Sequence, residues 1–433
     1  MDQFLRLDES QSDKGSMNQW INPSGTSRAY GDGGAPDGRD TMPQLDYLII
    51  GGGMAADAAA RGIRELDTKG AVALVTQEDA PPYKRPPLTK GLWKGDSLDS
   101  IWLGTDKSSI QLTRGRRIVR IDPGGHRALD DQGNSYDYKK ALLATGGTPR
   151  RLGFGGDDVI YFRSVADYEK LRRLAGSVRK FVVIGGGFIG SEIAAALAMN
   201  GRNVTMIFPD PDVGARIFPQ GLAGFVTRYY RDKGITVAAG DAVTGLERRG
   251  ERFAVETREH GEVEADTVVA GLGITPNVDL AREAGVRVED GIVVDEHLRT
   301  SAPDLYAAGD AAFFFNPALG KRLRVEHEDN AVTMGRAAGR SMAGSPEPYR
   351  HLPFFYSDLF ELGYEAVGET DARLEMFEDW KEPFREGVVY YLARGRVRGV
   401  LLWNVWNQVD AARRLIAEPG PFQPADLKGR IEP

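Results

Sequence analysis

The chain has 433 residues, of which 41% are hydrophobic, and a formal net charge of −7. This length predicts two or three domains, the acidic balance excludes a basic footprint for nucleic acid, and no apolar run approaches the ~20 residues of a membrane-spanning helix. The absence of cysteine excludes disulfides, thiolate metal sites and a redox dithiol, so any electron chemistry must reside on a bound cofactor. We predict no metal site.

Residues 1–44 are rich in Gly, Ser, Asp and Asn and have almost no aliphatic periodicity, which predicts a flexible N-terminal tail. Its acidic residues, among them Asp8, Glu9 and Asp13, argue against a transit peptide, and the tail has no signal-peptide core. We therefore expect a cytoplasmic protein.

A first dinucleotide-binding unit is predicted to begin at residue 45. An apolar strand leads directly into a turn in which Gly51, Gly53 and Ala56 occupy the positions of a G-x-G-x-x-G/A fingerprint. The elements predicted to follow are a helix over 55–66, a second strand over 72–76 and, at its end, Gln77 and Glu78.

The same unit is predicted again from residue 181. A strand over 181–184 leads into Gly185, Gly187 and Gly190, which allow a tight turn, the approach of a pyrophosphate and close helix packing. The following helix would face that pyrophosphate with free N–H groups. After the next strand comes Asp210, whose carboxylate can accept both ribose hydroxyls and would repel a 2′-phosphate, so NAD(H) is favoured over NADP(H).

Two such units predict two nucleotide cofactors in one chain, and a flavin that exchanges electrons with a nicotinamide is the common reason for that pairing. The alternatives are a chance glycine-rich turn at either position and a duplicated enzyme in which one site has degenerated. Toward the C-terminus, short aromatic and β-branched segments over 388–392 and 397–403 precede a predicted helix over 408–417.

Two further stretches, ALLATGGTPR (141–150) and TSAPDLYAAGDAA (300–312), complete a resemblance to the two-dinucleotide-binding flavoproteins of the pyridine nucleotide–disulfide oxidoreductase superfamily. Within it the chain most resembles apoptosis-inducing factor and its bacterial relatives. The stretches that carry this likeness are PPYKRPPLTKGLW (81–93), GGGFIGSE (185–192), VEHEDNAVTMGRAAG (325–339), SDLFELGYEAVGE (357–369) and VLLWNVWNQVDAARRLI (400–416).

The resemblance implies an α/β fold with two Rossmann-like dinucleotide-binding domains, as in glutathione reductase, and a C-terminal α+β domain with an antiparallel sheet. FAD and NAD(H) are the implied cofactors. The implied domains are an FAD-binding domain over 45–162 and 278–350, an NAD-binding domain over 163–277 and an interface domain over 351–433. The segment 368–388 is too short to carry the regulatory insertion of the mitochondrial proteins, so death-inducing DNA binding is not inferred.

The resemblance also implies roles for the residues around the flavin. Lys90 lies near flavin N5 and pairs with Glu192; alternatively, both are solvated surface charges. Phe188 covers the flavin until nicotinamide displaces it, or it packs on the sheet as a hydrophobic residue at the helix start. His327 senses flavin reduction, or it is a structural histidine.

Further contacts follow from the same likeness. Arg85 would bind the flavin pyrophosphate, or be a surface arginine. Gly309 and Asp310 would meet the ribityl chain and pyrophosphate, although Asp310 also suits a helix N-cap. The remaining predicted cofactor contacts are Ala144, Thr145, Gly146, Ile189, Gly273 and Glu326, which also suits helix N-terminal charge.

Two departures from the family pattern affect these assignments. Gln77 stands where the family usually has Glu, and Glu78 follows, so either residue could hold the adenosine ribose of FAD. Tyr356 stands where the family has a Trp beside the flavin; Tyr keeps a stacking face but adds a hydroxyl group.

We therefore predict an FAD-dependent NADH oxidoreductase in which NADH passes hydride to the flavin. Cysteine-containing relatives have a cysteine pair where RPPLTK stands here, so electrons would leave the flavin directly for an outside acceptor: a quinone, oxygen or a small iron–sulfur protein. The first alternative is a ferredoxin or rubredoxin reductase of an oxygenase system, against which the acidic segment 326–329 argues. The second is a redox-gated interaction protein in which NADH drives homodimer formation.

Overall fold

The computed structural model describes residues 44–432, so the predicted tail lies outside the described residues except for Gln44. No helix in this described range is long and apolar enough to cross a membrane. The α-helices are α1 Met54–Arg64, α2 Val165–Ser177, α3 Phe188–Met199, α4 Gln220–Asp232, α5 Asp279–Glu283, α6 Glu328–Met342, α7 Val409–Ala417 and α8 Pro424–Leu427.

The strands up to residue 150 build most of the first sheet. They are β1 Leu45–Ile50, β2 Val72–Val75, β3 Gln111–Thr113, β4 Ile118–Asp122, β5 Arg127–Asp130, β6 Ser135–Leu143 and β7 Gly147–Pro149. The strand order is β3-β2-β1-β6-β5-β4, and β1 pairs in parallel with both β2 and β6. Because both faces of β1 are covered, its residues form a nearly continuous apolar run, LDYLII.

The second sheet belongs to the segment that contains the second glycine fingerprint. Its strands and their connections are β8 Val159–Tyr161, β9 Lys180–Ile184, β10 Asn203–Phe208, β11 Thr236–Ala239, β12 Val243–Arg249, β13 Arg252–Thr257, β14 Gly261–Ala265, β15 Thr267–Ala270 and β16 Ile274–Pro276. The parallel order is β11-β10-β9-β15-β8, and β12-β13-β14 forms a separate sheet. Parallel strands joined through helices place both fingerprints at the carboxyl ends of strands.

The last strands complete the first unit and then form an antiparallel sheet. They are β17 Ile292–Val293, β18 Leu305–Ala307, β19 Ala312–Asn316, β20 Lys321–Leu323, β21 Phe354–Leu359, β22 Leu362–Gly368, β23 Glu375–Glu382, β24 Glu386–Ala393 and β25 Arg396–Trp403. Strand β18 pairs with β6. The antiparallel order is β21-β22-β25-β24-β23, which leaves β21 at an edge of that sheet.

Helices α1 and α6 pack unusually close together. A Cβ atom on Gly335 would lie 2.2 Å from the carbonyl oxygen of Ala55, and one on Gly339 would lie 2.1 Å from that of Ala59. Only glycine permits this approach, because a real Cβ cannot come so near a backbone atom. The glycines of α6 therefore serve the close contact between the two helices.

These elements confirm the predicted α/β fold with two dinucleotide-binding units and a C-terminal antiparallel sheet. The helix ends differ by a residue or two: α1 ends at Arg64 and α7 begins at Val409, where the sequence suggested 66 and 408. The domain boundaries stay a prediction. The pairing of β18 with β6 is compatible with them, because it joins the two predicted parts of the FAD-binding domain.

Candidate functional site

One cleft of about 1990 Å³ extends from the first glycine fingerprint to the second. Pockets for a single drug-sized ligand occupy ~300–1,000 Å³, so this cleft has room for two dinucleotides. All of the predicted site residues line it except Ala56 and Gly190. Ala56 is fully buried, and a Cβ on Gly190 would lie 2.1 Å from the carbonyl oxygen of Gly185, so these two third positions serve helix packing.

The first end of the cleft fits the pyrophosphate of a dinucleotide. Gly51 has a φ of +124°, and a Cβ there would lie 2.1 Å from the carbonyl oxygen of Ala144. A Cβ on Gly53 would meet only open space. Gly53 is the N-cap residue of α1 and, as a glycine, makes no side-chain hydrogen bond to the start of the helix. The N–H groups at the start of α1 are therefore available to an anion in the cleft.

The second end repeats this arrangement. Gly185 has a φ of +122°, and a Cβ on Gly187 would meet only open space. Gly187 is the N-cap residue of α3 and makes no side-chain hydrogen bond to the start of that helix. Ile189 and Gly273 also line this end. The Asp210 carboxylate lies here too, 3.0 Å from Nε of Arg216.

The structure distinguishes the two candidates for the first adenosine ribose. Glu78 accepts hydrogen bonds from the Tyr83 hydroxyl at 2.7 Å and from Arg85 Nη2 at 2.5 Å. Its carboxylate is thus committed to protein partners, whereas Gln77 is exposed on the cleft wall. The ribose contact by either residue stays a prediction, and Arg85 is a paired residue of the cleft rather than a free surface arginine.

Asp310 is not a helix N-cap, which corrects one alternative from the sequence. It lies inside the 3-10 turn Gly309–Ala311, and its carboxylate accepts a hydrogen bond from Arg163 Nη2 at 2.6 Å. Beside it, Thr145 Oγ1 donates to the carbonyl oxygen of Asn277 at 2.7 Å, which fixes the turn that contains Ala144 and Gly146.

Lys90 and Glu192, which both line the cleft, form the predicted pair. Lys90 Nζ lies 2.7 Å from Glu192 Oε1, and the two side chains are 12% and 3% exposed. Glu192 is the fifth residue of α3, so it lies just beyond the first turn of the helix. The alternative of two solvated surface charges is wrong.

An aromatic cluster lies next to this pair. The His327 and Phe355 rings stack with centroids 4.2 Å apart, and Phe188 meets Phe355 edge to face at 4.9 Å. Phe188 is 36% exposed to the cleft, so it does not pack on the sheet of its own unit. Burial lowers the pKa of His327 to about 4, against the opposing effect of Asp310 and Asp329, so the imidazole is neutral at pH 7.

The acidic segment 326–329 is largely neutralised by protein partners. Glu326 accepts from Arg324 Nη1 at 2.5 Å, and Asp329 lies 2.5 Å from His351 Nε2 and 3.1 Å from Arg413 Nη2. Burial raises the pKa of Glu328, although Lys84 and Lys90 oppose that shift. The segment therefore presents less negative charge than its sequence suggests.

The sequence did not identify Thr89, Arg163, Phe355 and Ser357, which the structure brings to the cleft or to the Lys90–Glu192 pair. Thr89 precedes Lys90, and Arg163 follows β8 at the carboxyl end of a parallel strand. That position was a usable signal. Ser357 and Phe355 flank Tyr356, whose own ring lies 5.1 Å from Lys90 Nζ.

The two glycine cradles and the two helix starts without side-chain caps give this cleft the features of a site for two dinucleotides. The chain belongs to the pyridine nucleotide-disulphide oxidoreductase family, whose model matches residues 45–335. The C-terminal model of apoptosis-inducing factor, mitochondrion-associated, matches residues 375–418.

Individual relatives agree with this assignment. The chain is 34% identical over 419 residues to apoptosis-inducing factor 1, mitochondrial, of Dictyostelium discoideum, covering 87% of this chain and 79% of that protein. It is 32% identical over 399 residues to the ferredoxin–NAD(+) reductase component of the anthranilate 1,2-dioxygenase system of Burkholderia cepacia, covering 88% and 97%. The crystal structure of the covalent putidaredoxin reductase–putidaredoxin complex matches with a TM-score of 0.82 and 29% identity, covering 88% and 95%.

The chain is therefore an NAD(H)-dependent flavin oxidoreductase with FAD and NAD(H) as cofactors. It has no cysteine, so it works without a redox-active disulfide. The predicted resemblance to apoptosis-inducing factor is confirmed.

Proposed function

We propose that this protein is an NADH oxidoreductase of the apoptosis-inducing-factor type, which passes electrons from NADH through FAD to an acceptor outside the chain. The observation that carries the proposal is the Lys90–Glu192 pair, which lines the same continuous cleft as the two glycine cradles. Hydride transfer requires the two reactive rings to touch, and a cleft open from one cradle to the other permits that contact.

When bound, FAD accepts hydride from NADH and returns electrons to an acceptor. The chain's residues prepare that reaction. The start of α1 and Gly53 would hold the FAD pyrophosphate, and the start of α3 with Asp210 would hold NAD(H). Lys90 supplies a fixed positive charge, and the Phe188 ring excludes water until the nicotinamide takes its place.

A ferredoxin or rubredoxin reductase is the second candidate, and one observation favours it. The segment 326–329 was the argument against an acidic protein partner, yet Glu326 and Asp329 are both paired with basic side chains. The surface beside the cleft is thus less acidic than expected, which leaves a small iron–sulfur protein as a possible acceptor alongside a quinone or oxygen.

Anaerobic titration of the purified yellow protein with NADH tests the proposal and separates the candidates. Full bleaching by one equivalent of NADH, a persistent long-wavelength absorption band and slow reduction of an added ferredoxin support the apoptosis-inducing-factor type. Fast one-electron delivery to the ferredoxin supports the second candidate. A colourless protein that does not take up FAD contradicts both.

We also propose a cytoplasmic location and a homodimer that forms when NADH binds. Light scattering of the FAD-loaded protein with and without NADH measures the second point. An unchanged molar mass at micromolar protein would remove the dimer and, with it, the idea of a redox-gated interaction protein.

A further inference from the structure

The Glu192 carboxylate is held by three side chains from two distant parts of the chain. Its Oε1 accepts from Lys90 Nζ at 2.7 Å and from Ser357 Oγ at 2.6 Å, and its Oε2 accepts from Thr89 Oγ1 at 2.5 Å. Thr89 and Ser357 are themselves buried. A serine or threonine hydroxyl has a single proton. Thr89 Oγ1 also lies 3.4 Å from the Pro86 carbonyl oxygen, but its 2.5 Å contact with the carboxylate is much the shorter of the two.

The edge strand β21 contacts both members of the ion pair through two successive residues. Ser357 donates to Glu192, while the Tyr356 ring lies 5.1 Å from Lys90 Nζ. Successive residues of a strand point to opposite faces. Tyr356 and Ser357 therefore contact the ion pair from opposite faces of β21, which is an edge strand of the sheet. The C-terminal sheet is thus part of the reaction site and not only a neighbouring domain.

We propose that Ser357 and Thr89 are positioning residues that fix the Glu192 carboxylate and, through it, the Lys90 ammonium beside the flavin. This inference rests on the proposed binding of FAD next to Lys90. The two hydroxyl donors hold the carboxylate in one orientation, and in that orientation Oε1 faces Lys90. Without them it can rotate, and the ammonium is no longer held at one point.

The expected consequence is electrostatic. A positive charge near the reactive ring favours the reduced flavin, because charge near its ring nitrogens tunes the cofactor's electronics. A mobile Lys90 ammonium stabilises the reduced flavin less, and a Glu192 carboxylate that has lost a hydrogen-bond donor destabilises the reduced flavin more. Both effects lower the flavin midpoint potential, so they act in the same direction.

The test compares Ser357→Ala with Ser341→Ala in the FAD-loaded protein. Ser341 is a buried serine of α6 that donates to the carbonyl oxygen of His297 at 2.9 Å and does not line the cleft, so it controls for the loss of a buried hydroxyl. Photochemical reduction against a reference dye gives the midpoint potential without NADH, and stopped-flow mixing with NADH gives the rate of flavin reduction.

We expect Ser357→Ala to shift the reduction equilibrium about tenfold, which is about 30 mV lower for a two-electron couple, and to slow reduction by NADH about tenfold. Ser341→Ala should change neither. Thr89→Val, which removes the hydroxyl and keeps the shape, should repeat the shift, and Thr89→Ser should restore the wild-type potential; this pair decides the matter if Ser357→Ala does not fold.

Wild-type potentials in both Ser357→Ala and Thr89→Val would overturn the proposal. A shifted potential in a protein that NADH does not reduce would instead contradict the proposed function and leave the positioning role intact.

Discussion

Removing one member of the Lys90–Glu192 pair should destabilise the protein far more than removing both. Glu192→Leu leaves a buried ammonium, only 12% exposed, without its counter-ion. Lys90→Met leaves a carboxylate that is 3% exposed with two hydroxyl donors. Loss of one partner of a buried pair costs about 3–5 kcal/mol, whereas replacing both partners by apolar residues of similar volume is often nearly neutral.

The two single effects add up to about 6–10 kcal/mol, whereas the double variant, Lys90→Met with Glu192→Leu, should cost far less, so the cycle should show a coupling free energy of several kcal/mol. Guanidinium unfolding followed by circular dichroism measures all four proteins under identical FAD saturation, because bound cofactor adds to the apparent stability. The three variants should also share a lowered rate of flavin reduction, which separates stability from function.

The exposed pair Lys180–Glu264, with Nζ and Oε2 2.7 Å apart and both side chains nearly half exposed, is the matched control. Its double-variant cycle should show little coupling, since water screens exposed charges. If the effects of Lys90→Met and Glu192→Leu simply add, the two side chains do not form a desolvated pair in solution, and the reasoning on the site fails.

Three further outcomes are expected. The pKa of His327 falls from 6.5 to about 4 on folding, so between these pH values the unfolded chain binds a proton that the folded chain does not. Acidification across that window should lower the free energy of unfolding by up to about 3 kcal/mol. Unfolding titrations of His327→Asn should lack this acid-dependent loss. Gly339→Ala should lower the thermal midpoint by several degrees or prevent folding, as its Cβ would lie 2.1 Å from Ala59 O, whereas Gly176→Ala, which meets open space in α2, should be neutral or mildly stabilising; equal midpoints would contradict the packing argument. Asp210→Ala should weaken NADH binding about tenfold by loss of the ribose contact, and unchanged affinity in a calorimetric titration would exclude that contact.

The fold was predictable because its signals are local. Each glycine fingerprint follows directly on an apolar strand, and strand, turn and helix lie within a single stretch of sequence. The same holds for the aromatic and β-branched segments that became β24 and β25. The predicted ends of the helices differ by one or two residues from those observed, and α7 begins without a side-chain cap that the sequence could have signalled.

Hydrogen-bond partners were predictable only where a family pattern named them. The pairing of Lys90 with Glu192 joins residues 102 positions apart, and nothing in their local sequence indicates it. Ser357 reaches Glu192 over 165 positions, and no pattern pointed to it. Likewise, Gln77 and Glu78 were equivalent in sequence, and only the positions of Tyr83 and Arg85 separate them.

The absence of cysteine gives the hydrogen bonds of the Glu192 carboxylate their significance. A flavoprotein with a cysteine pair can pass electrons to its own disulfide, so the environment of the flavin need only favour that step. Here the acceptor lies outside the chain, and the driving force must be set by fixed charges around the ring. The buried Glu192 carboxylate of α3 accepts hydrogen bonds from the segment between β2 and β3 and from β21. With FAD bound beside Lys90 as proposed, a shift of the C-terminal sheet would change the electrostatics of the flavin.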